Sequence, residues 1–507
     1  MGAPAMIASR LTSDFCQNSH GQKHGQGQRR RRRGNQPPPF PARELYPVPG
    51  LGYALHKESS HRIRDHMRIA MIGGGYVGLV SGACFAEFGT EVVIVEADQD
   101  KLAALRAGSI PIYEPGLDKI VSANVAAGRL SFTDDLATAI AQVEAVFIAV
   151  GTPTRRGDGH ADLTYVYEAT RQIARHARTG LLVVTKSTVP VGTGREVARI
   201  LREERPELTF SVASNPEFLR EGNAIGDFMR PDRVIIGIDD TGADKGETAS
   251  ALMRQLYRPL YLIETPIVMT GLETAELTKY AANAFLAMKV TFINEMADLC
   301  EKVGGNVHDV ARGMGLDQRI GRKFLHAGPG YGGSCFPKDT RALTAIARDA
   351  GAPSLLVEAT VSINESRKSA MAERVIALCG GTVKGKKLAV LGLTFKPDTD
   401  DMREASSLPL IHRLVEEGAI VQAFDPEGMK PARPLLPESV IYANSAQEAA
   451  TDADALIVLT EWNEFRAIPP ARLKAAMRGR VIADFRNIWD PATLRDAGFT
   501  YRSIGRP

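Results

Sequence analysis

Arg68-Ile69-Ala70-Met71-Ile72-Gly73-Gly74-Gly75-Tyr76-Val77-Gly78 decides the fold of the first half of this chain. Five apolar-leaning residues read as a short buried strand, and the glycines that follow spell Gly-x-Gly-x-x-Gly. A helical pattern runs over 79–88 and stops at Gly89, and the next strand, 91–96, ends on Glu96. Gly73 permits the tight turn, Gly75 a close approach to a pyrophosphate, and Gly78 the packing of helix on strand. Tyr76 and Val77 open the helix whose N-terminus faces that anion. Glu96 is placed to accept from the adenosine ribose hydroxyls. Lys101 either reaches the same ribose or is an exposed helix lysine. Strand, glycine turn, helix, strand and terminal acid together predict a dinucleotide site.

Further strands at 145–150 and 181–185 end in Gly151-Thr152-Pro153-Thr154 and Lys186-Ser187-Thr188. In a doubly wound sheet, ligands lie at the carboxyl ends of the strands, so these loops are expected on the nicotinamide side. Asn215-Pro216-Glu217-Phe218-Leu219-Arg220-Glu221-Gly222 follows a third such strand. Glu217 and Glu221 suit general acid–base work, although their spacing equally fits ordinary helix-start and solvated acids. A long helical pattern, 275–303, contains no Gly or Pro and reads as a spine between domains. Lys279 and Asn283 share one of its faces. That lysine is either a snorkelling surface residue or a desolvated catalytic amine.

Gly328-Pro329-Gly330-Tyr331-Gly332-Gly333-Ser334-Cys335-Phe336-Pro337-Lys338-Asp339 is the second decisive stretch. Its glycines let the backbone approach a ligand, and Pro337 suits the first turn of a helix. Cys335 then sits at a helix start, where thiolate is expected to be favoured. The ordinary alternative is a small buried hydrophobe beside a helix-start acid.

From 386 the pattern restarts, with Leu388-Ala389-Val390-Leu391-Gly392 echoing the first strand and glycine. The second and third fingerprint glycines are replaced by Leu393-Thr394-Phe395-Lys396, so a dinucleotide is not expected there. Lys396 and Arg403 offer cations for another phosphate-bearing ligand, or are surface charge.

The fold class is therefore α/β, with two Rossmann-like doubly wound domains joined by a long central helix. The expected division is a disordered basic tail over 1–66, a dinucleotide-binding domain over 67–270, a central helical region over 271–382 and a second Rossmann-like domain over 383–507. The tail, with its run Arg29 to Arg33, supplies more than the whole net charge of +3, which gives no case for a nucleic-acid surface. Five scattered cysteines without metal-ligand spacing suggest reduced cytoplasmic thiols and no metal site. No apolar run reaches membrane-spanning length.

With these residues quoted, the chain from Met67 onward resembles the UDP-glucose 6-dehydrogenase family. The matching stretches are 73–78, 151–154, 186–190, 215–222, 279–283, 330–339 and 395–404. Glu96 departs from the Asp of many members, and the basic tail is not part of the pattern. The resemblance implies a UDP-glucose substrate, an NAD cofactor, a homodimer or higher homo-oligomer, and four-electron oxidation of an alcohol to a carboxylate. It casts Cys335 as nucleophile, with Lys279, Asn283, Asp339 and Glu217 managing protons, water and the reacting oxygen. Thr152 and Glu221 would lie near cofactor and reacting centre, Lys338 and Arg403 by the cofactor. Phe218, Leu219, Arg220, Phe324, Gly332, Lys396, Arg486 and Arg319 would hold substrate, Arg319 across a subunit interface. A GDP-mannose or UDP-N-acetylhexosamine dehydrogenase, and a non-catalytic NAD-binding regulator, are the competing readings.

Overall fold

The computed structural model describes residues 67–155, 159–241 and 245–506. The expected tail, 1–66, lies outside the described residues. The first sheet comprises β1 (Arg68–Ile72), β2 (Glu91–Val95), β3 (Leu130–Thr133), β4 (Ala145–Ile148), β5 (Leu181–Thr185), β6 (Phe210–Ser214), β7 (Val234–Ile238) and β8 (Ile267–Gly271). Their spatial order is β3-β2-β1-β4-β5-β6-β7-β8, parallel except where β7 meets β6. β1 is buried on both faces, which explains its unbroken apolar run. Ile69 and Met71 join one hydrophobic cluster, while Ala70 and Ile72 join the cluster on the opposite face.

The second sheet repeats the plan with β9 (Lys387–Leu391), β10 (Ile420–Phe424), β11 (Ile441–Tyr442), β12 (Ala455–Val458), β13 (Val481–Asp484) and β14 (Thr500–Ser503), ordered β11-β10-β9-β12-β13-β14. Leu388 and Val390 face one cluster, Ala389 and Leu391 the other. In both sheets the order reverses beside the first strand, the position at which open α/β sheets commonly bind ligands.

The spine helix, Leu272–Val303, joins the two sheets and begins slightly earlier than the sequence pattern indicates. Leu272 belongs to the core of the first sheet, and Ile293, Ala297 and Cys300 to that of the second. Gly304, at φ +76°, ends the helix in the left-handed conformation that glycine adopts freely. The helix Phe336–Asp349 packs along the spine and starts at Cys335, as the sequence indicates.

At Gly237 the spine comes so close to β7 that a Cβ would lie 2.7 Å from the Ala275 Cβ and 2.8 Å from the Gly271 carbonyl oxygen. Gly237→Ala is therefore expected to destabilise the fold by about 1–3 kcal/mol, the usual cost of overpacking. Chemical denaturation of the variant beside the wild type reads this as a lower midpoint.

Candidate active site

At the carboxyl end of β1, Gly73 holds φ +105°, and a Cβ there would lie 2.9 Å from the Ala149 carbonyl oxygen. A Cβ on Gly78 would lie 1.9 Å from the Gly73 carbonyl oxygen. Gly75 has no atom within 4 Å of the same point. The outer glycines are thus required by the protein itself, and the middle one faces open space. Gly75 caps the helix Tyr76–Glu87 without a side-chain bond, and that helix has no acid in its first turn. Uncapped amides and a positive dipole end fit a pyrophosphate.

Glu96 is buried beside this turn. Its carboxylate accepts from the Gly74 amide at 3.0 Å and the Asp98 amide at 2.9 Å, which fixes it at the end of β2. Lys101 is half exposed and stands 3.9 Å from Asp98. Thr152 is buried and its hydroxyl donates to the Thr188 carbonyl at 2.9 Å, tying together the loops that follow β4 and β5.

Next to this crevice lies a cavity of about 660 Å³. Phe218, Leu219, Arg220, Glu221, Lys279, Asn283, Phe324, Gly332, Cys335 and Lys396 all line it. Residues from the loop after β6, the spine helix, the cysteine loop and the loop after β9 therefore meet in one place. Lys279 and Glu217 form a fully buried ion pair at 2.9 Å, and the Leu219 amide donates to the other Glu217 oxygen at 2.6 Å. Burial opposes both charges. The Lys279 ammonium nonetheless holds Glu217 below the ordinary glutamate value, while Glu217, Cys335 and Asp339 hold Lys279 above that of lysine. Asn283 donates to Asp339 at 2.6 Å, and Lys338 donates to the other Asp339 oxygen at 2.7 Å.

Cys335 departs from expectation. Burial pushes its thiol up to about 11, and the nearby Lys279 recovers only part of that loss. Desolvation by packed neighbours outweighs the helix-terminal dipole. Glu221 moves the same way. Burial and the adjacent Asp401 push it up to about 7, against the lowering pull of Arg403.

Four of the basic residues chosen from sequence do not line the cavity. Arg319 is highly exposed and folds onto Asp317 at 2.6 Å. Arg403 pairs with Asp401 at 2.8 Å and Glu221 at 3.2 Å. Arg486 donates to the carbonyls of Leu459 at 2.7 Å and Phe395 at 2.8 Å. Lys338 is held by Asp339. Sequence reading also missed Glu114. Its buried carboxylate accepts from the Tyr76 hydroxyl, from the Gly222 amide at 2.7 Å and from the Ala224 amide at 2.7 Å. It therefore clamps the fingerprint helix to the loop carrying Glu221. The acid in Tyr113-Glu114-Pro115-Gly116 was the available signal, an isolated carboxylate among turn formers.

Three family models cover most of the chain. They are the NAD binding domain of the UDP-glucose/GDP-mannose dehydrogenase family over 67–261, its central domain over 273–366 and its UDP binding domain over 389–491. A UDP-glucose 6-dehydrogenase of Rhizobium meliloti is 60% identical over 87% of this chain and 100% of its own length. The UDP-glucose 6-dehydrogenase TuaD of Bacillus subtilis is 46% identical over 87% of this chain and 93% of its own. Among solved structures, a UDP-glucose dehydrogenase from Pyrobaculum islandicum superposes with a TM-score of 0.78 at 38% identity, covering 86% of this chain and 98% of that one.

The chain belongs to the UDP-glucose/GDP-mannose dehydrogenase family. As in the family, its dinucleotide site is an NAD site. The open face at Gly75, the uncapped helix start and the buried Glu96 fit that cofactor. Among the described residues, no cluster of side chains has the makings of a metal site, and no helix is long and apolar enough to cross a membrane. Glu96 would accept from ribose hydroxyls and repel a 2′-phosphate. NAD⁺ is accordingly expected to exceed NADP⁺ in kcat/KM by at least an order of magnitude. Initial rates with each cofactor check this, and equal values would refute the role given to Glu96.

Proposed function

We propose that this chain oxidises the C6 alcohol of UDP-glucose to the carboxylate, yielding UDP-glucuronate. The observation that carries this reading is the convergence of Cys335, Lys279 and Asn283 on one cavity in a chain 60% identical to a UDP-glucose 6-dehydrogenase. NAD⁺, when bound, supplies the hydride acceptor in each of two oxidations. The fingerprint glycines, the first turn at Tyr76 and Val77, and Glu96 would hold it.

The chain's own groups supply the rest. Lys279 and Asn283, one turn apart, would hold the C6 oxygen and favour its negative form. Glu217 and Asp339, each already bonded to one of these residues, would take protons and orient water. An aldehyde carries no tetrahedral hydride-donating carbon until a nucleophile adds. Cys335 provides that nucleophile as a thiohemiacetal, and loss of hydride from it leaves a thioester for water to cleave. Lys396, at the cavity wall from the second domain, and Arg220 and Phe218, from the first, would position the nucleotide sugar.

The same reading includes a homo-oligomer. Phe285, Phe292 and Leu299 recur every seven residues along the spine helix and stand 58%, 41% and 51% exposed. Such an apolar seam on a helix suits a second helix. Arg319, exposed and not part of the cavity lining, would serve a neighbouring subunit's substrate. Phe292→Asp is expected to lower the mass seen by analytical ultracentrifugation. An unchanged mass would remove this seam from the interface.

Wild-type protein is expected to form two NADH for each UDP-glucose and to release no aldehyde. GDP-mannose and UDP-N-acetylhexosamines, tested in the same panel, are expected to give far less. Cys335→Ala should still reduce the UDP-sugar aldehyde with NADH, because that half-reaction needs no sulfur. Its oxidation of the aldehyde should fall by orders of magnitude. Aldehyde oxidation by this variant at near wild-type rate would dismiss the covalent route.

A further inference from the structure

Burial pushes the Cys335 thiol up to about 11, so its attack on an aldehyde calls for a base. Three charged groups near the sulfur are hydrogen-bonded to other partners and not to Cys335. Lys279 is held as an ammonium by Glu217. Both Glu217 oxygens accept hydrogen bonds, one from Lys279 and one from the Leu219 amide. Both Asp339 oxygens do the same, from Asn283 and Lys338. A different path leaves the sulfur. The Cys335 Sγ lies 3.4 Å from the Ser334 Oγ, and the Ser334 hydroxyl donates to Glu221 Oε1 at 3.0 Å. A serine hydroxyl has one proton, and here the carboxylate claims it. With the hydroxyl proton engaged by the carboxylate, the serine oxygen is free to accept from the thiol, giving a chain thiol–hydroxyl–carboxylate.

We propose that Ser334 is a catalytic residue that relays the Cys335 thiol proton to Glu221 as sulfur attacks the aldehyde. This inference rests on the covalent reading given above. In the step, the Sγ–H bond breaks and an Sγ–C bond forms. The carbonyl π pair moves onto the aldehyde oxygen. The thiol proton passes to the Ser334 oxygen while the serine's own proton passes to Glu221, which becomes a neutral carboxylic acid. The thiohemiacetal oxyanion carries the charge that Glu221 loses, and it faces the Lys279 ammonium. No oxidation occurs in this step.

The surroundings of Glu221 suit such an acceptor. Arg403 stands 3.2 Å from the oxygen that receives the serine bond, and Asp401 lies beside the carboxyl. Lys396 donates to the Glu221 backbone carbonyl. Tyr76 faces it from the fingerprint helix, and Glu114 accepts from the neighbouring Gly222 amide. Around the sulfur stand Lys279, Glu217 and Asp339. Burial and Asp401 push Glu221 up to about 7, so its ionised, proton-accepting fraction grows as pH rises through neutrality.

The test uses the full chain and two readouts across the neutral pH range. One is alkylation of Cys335 by iodoacetamide, located by peptide mass spectrometry, which needs no substrate. The other is single-turnover oxidation of the UDP-sugar aldehyde with NAD⁺. In the wild type both rates are expected to climb through about pH 7. Ser334→Ala should lower aldehyde oxidation at neutral pH by about 10²-fold, the usual scale of general base catalysis, and move both profiles to more alkaline pH. Ser334→Thr, which keeps the hydroxyl, should restore most of the rate and the wild-type midpoint. NAD⁺ affinity reports that each variant is folded. A Ser334→Ala protein whose profiles match the wild type would overturn the relay. An alkaline shift of alkylation in a protein inert toward the aldehyde would keep the relay and sink the substrate assignment.

Discussion

A buried ammonium paired with a buried carboxylate sets the constraint on which the site depends. Lys279 and Glu217 are withdrawn from water on two elements far apart in sequence, and neither charge is tolerable alone. Losing one partner of such a pair typically costs about 3–5 kcal/mol, because the other is left uncompensated. The pair therefore fixes the loop after β6 against the spine helix. The register of that helix then places Asn283, one turn on, beside Asp339 at the start of the helix Phe336–Asp349. One electrostatic requirement thus aligns three segments around the sulfur.

The cysteine loop is held with similar economy from its other side. Asn294 on the spine accepts from the Gly328 amide at 2.8 Å, and Arg367 donates to the Gly328 carbonyl at 2.8 Å. Asn364 pairs with both the amide and the carbonyl of Tyr331, at 2.8 and 3.1 Å. The Gly333 amide donates to the Arg403 carbonyl at 2.8 Å, and a Cβ on Gly332 would lie 2.4 Å from the Glu404 carbonyl oxygen. The glycines of this loop serve the approach of the second domain as much as that of a ligand. Holding the loop this tightly also desolvates the thiol, which raises its pKa and creates the need for a base. Rigid placement and a high thiol pKa are two results of the same packing.

The parts of the molecule that were legible from sequence are those governed by local pattern. Two apolar strands each followed by glycine, the glycine-free spine and the Pro337 helix start depend on neighbours a few residues away. The convergence of Lys279, Asn283 and Cys335 followed from family resemblance, and their chemistry agreed with it. What was not legible depends on contacts distant in the chain. The Glu114 clamp joins residues more than a hundred positions apart, so no local spacing signals it. The thiolate expected at Cys335 rested on a helix dipole, a local quantity. Desolvation, a tertiary quantity, had the larger effect. Arg403 was read as a cation suited to a phosphate-bearing ligand, and Arg486 entered only through the family resemblance. The fold instead engages Arg403 with the nearby Asp401 and the distant Glu221, and Arg486 with the distant Leu459 and Phe395 carbonyls.

Comparison of the two sheets shows why only one fits a dinucleotide. Both begin with the same turn, since Gly392 has φ +91° where Gly73 has +105°. Both end their second strand on an acid that receives amides from that turn. In the first sheet Glu96 takes the Gly74 amide, and the backbone at Gly75 stays open. In the second, the Asp425 carboxylate takes the Leu393 amide at 2.7 Å, the Thr394 amide at 3.1 Å, the Gly428 amide at 2.6 Å and the Trp462 indole at 3.1 Å. The donors that could greet a pyrophosphate are consumed internally, and Leu393 is fully buried in the hydrophobic core. The next available cation, Lys396, is carried past the closed crevice into the cavity shared with Cys335. Without the later fingerprint glycines the turn after β9 is closed to a pyrophosphate, and Lys396 beyond it lines the cavity of Cys335.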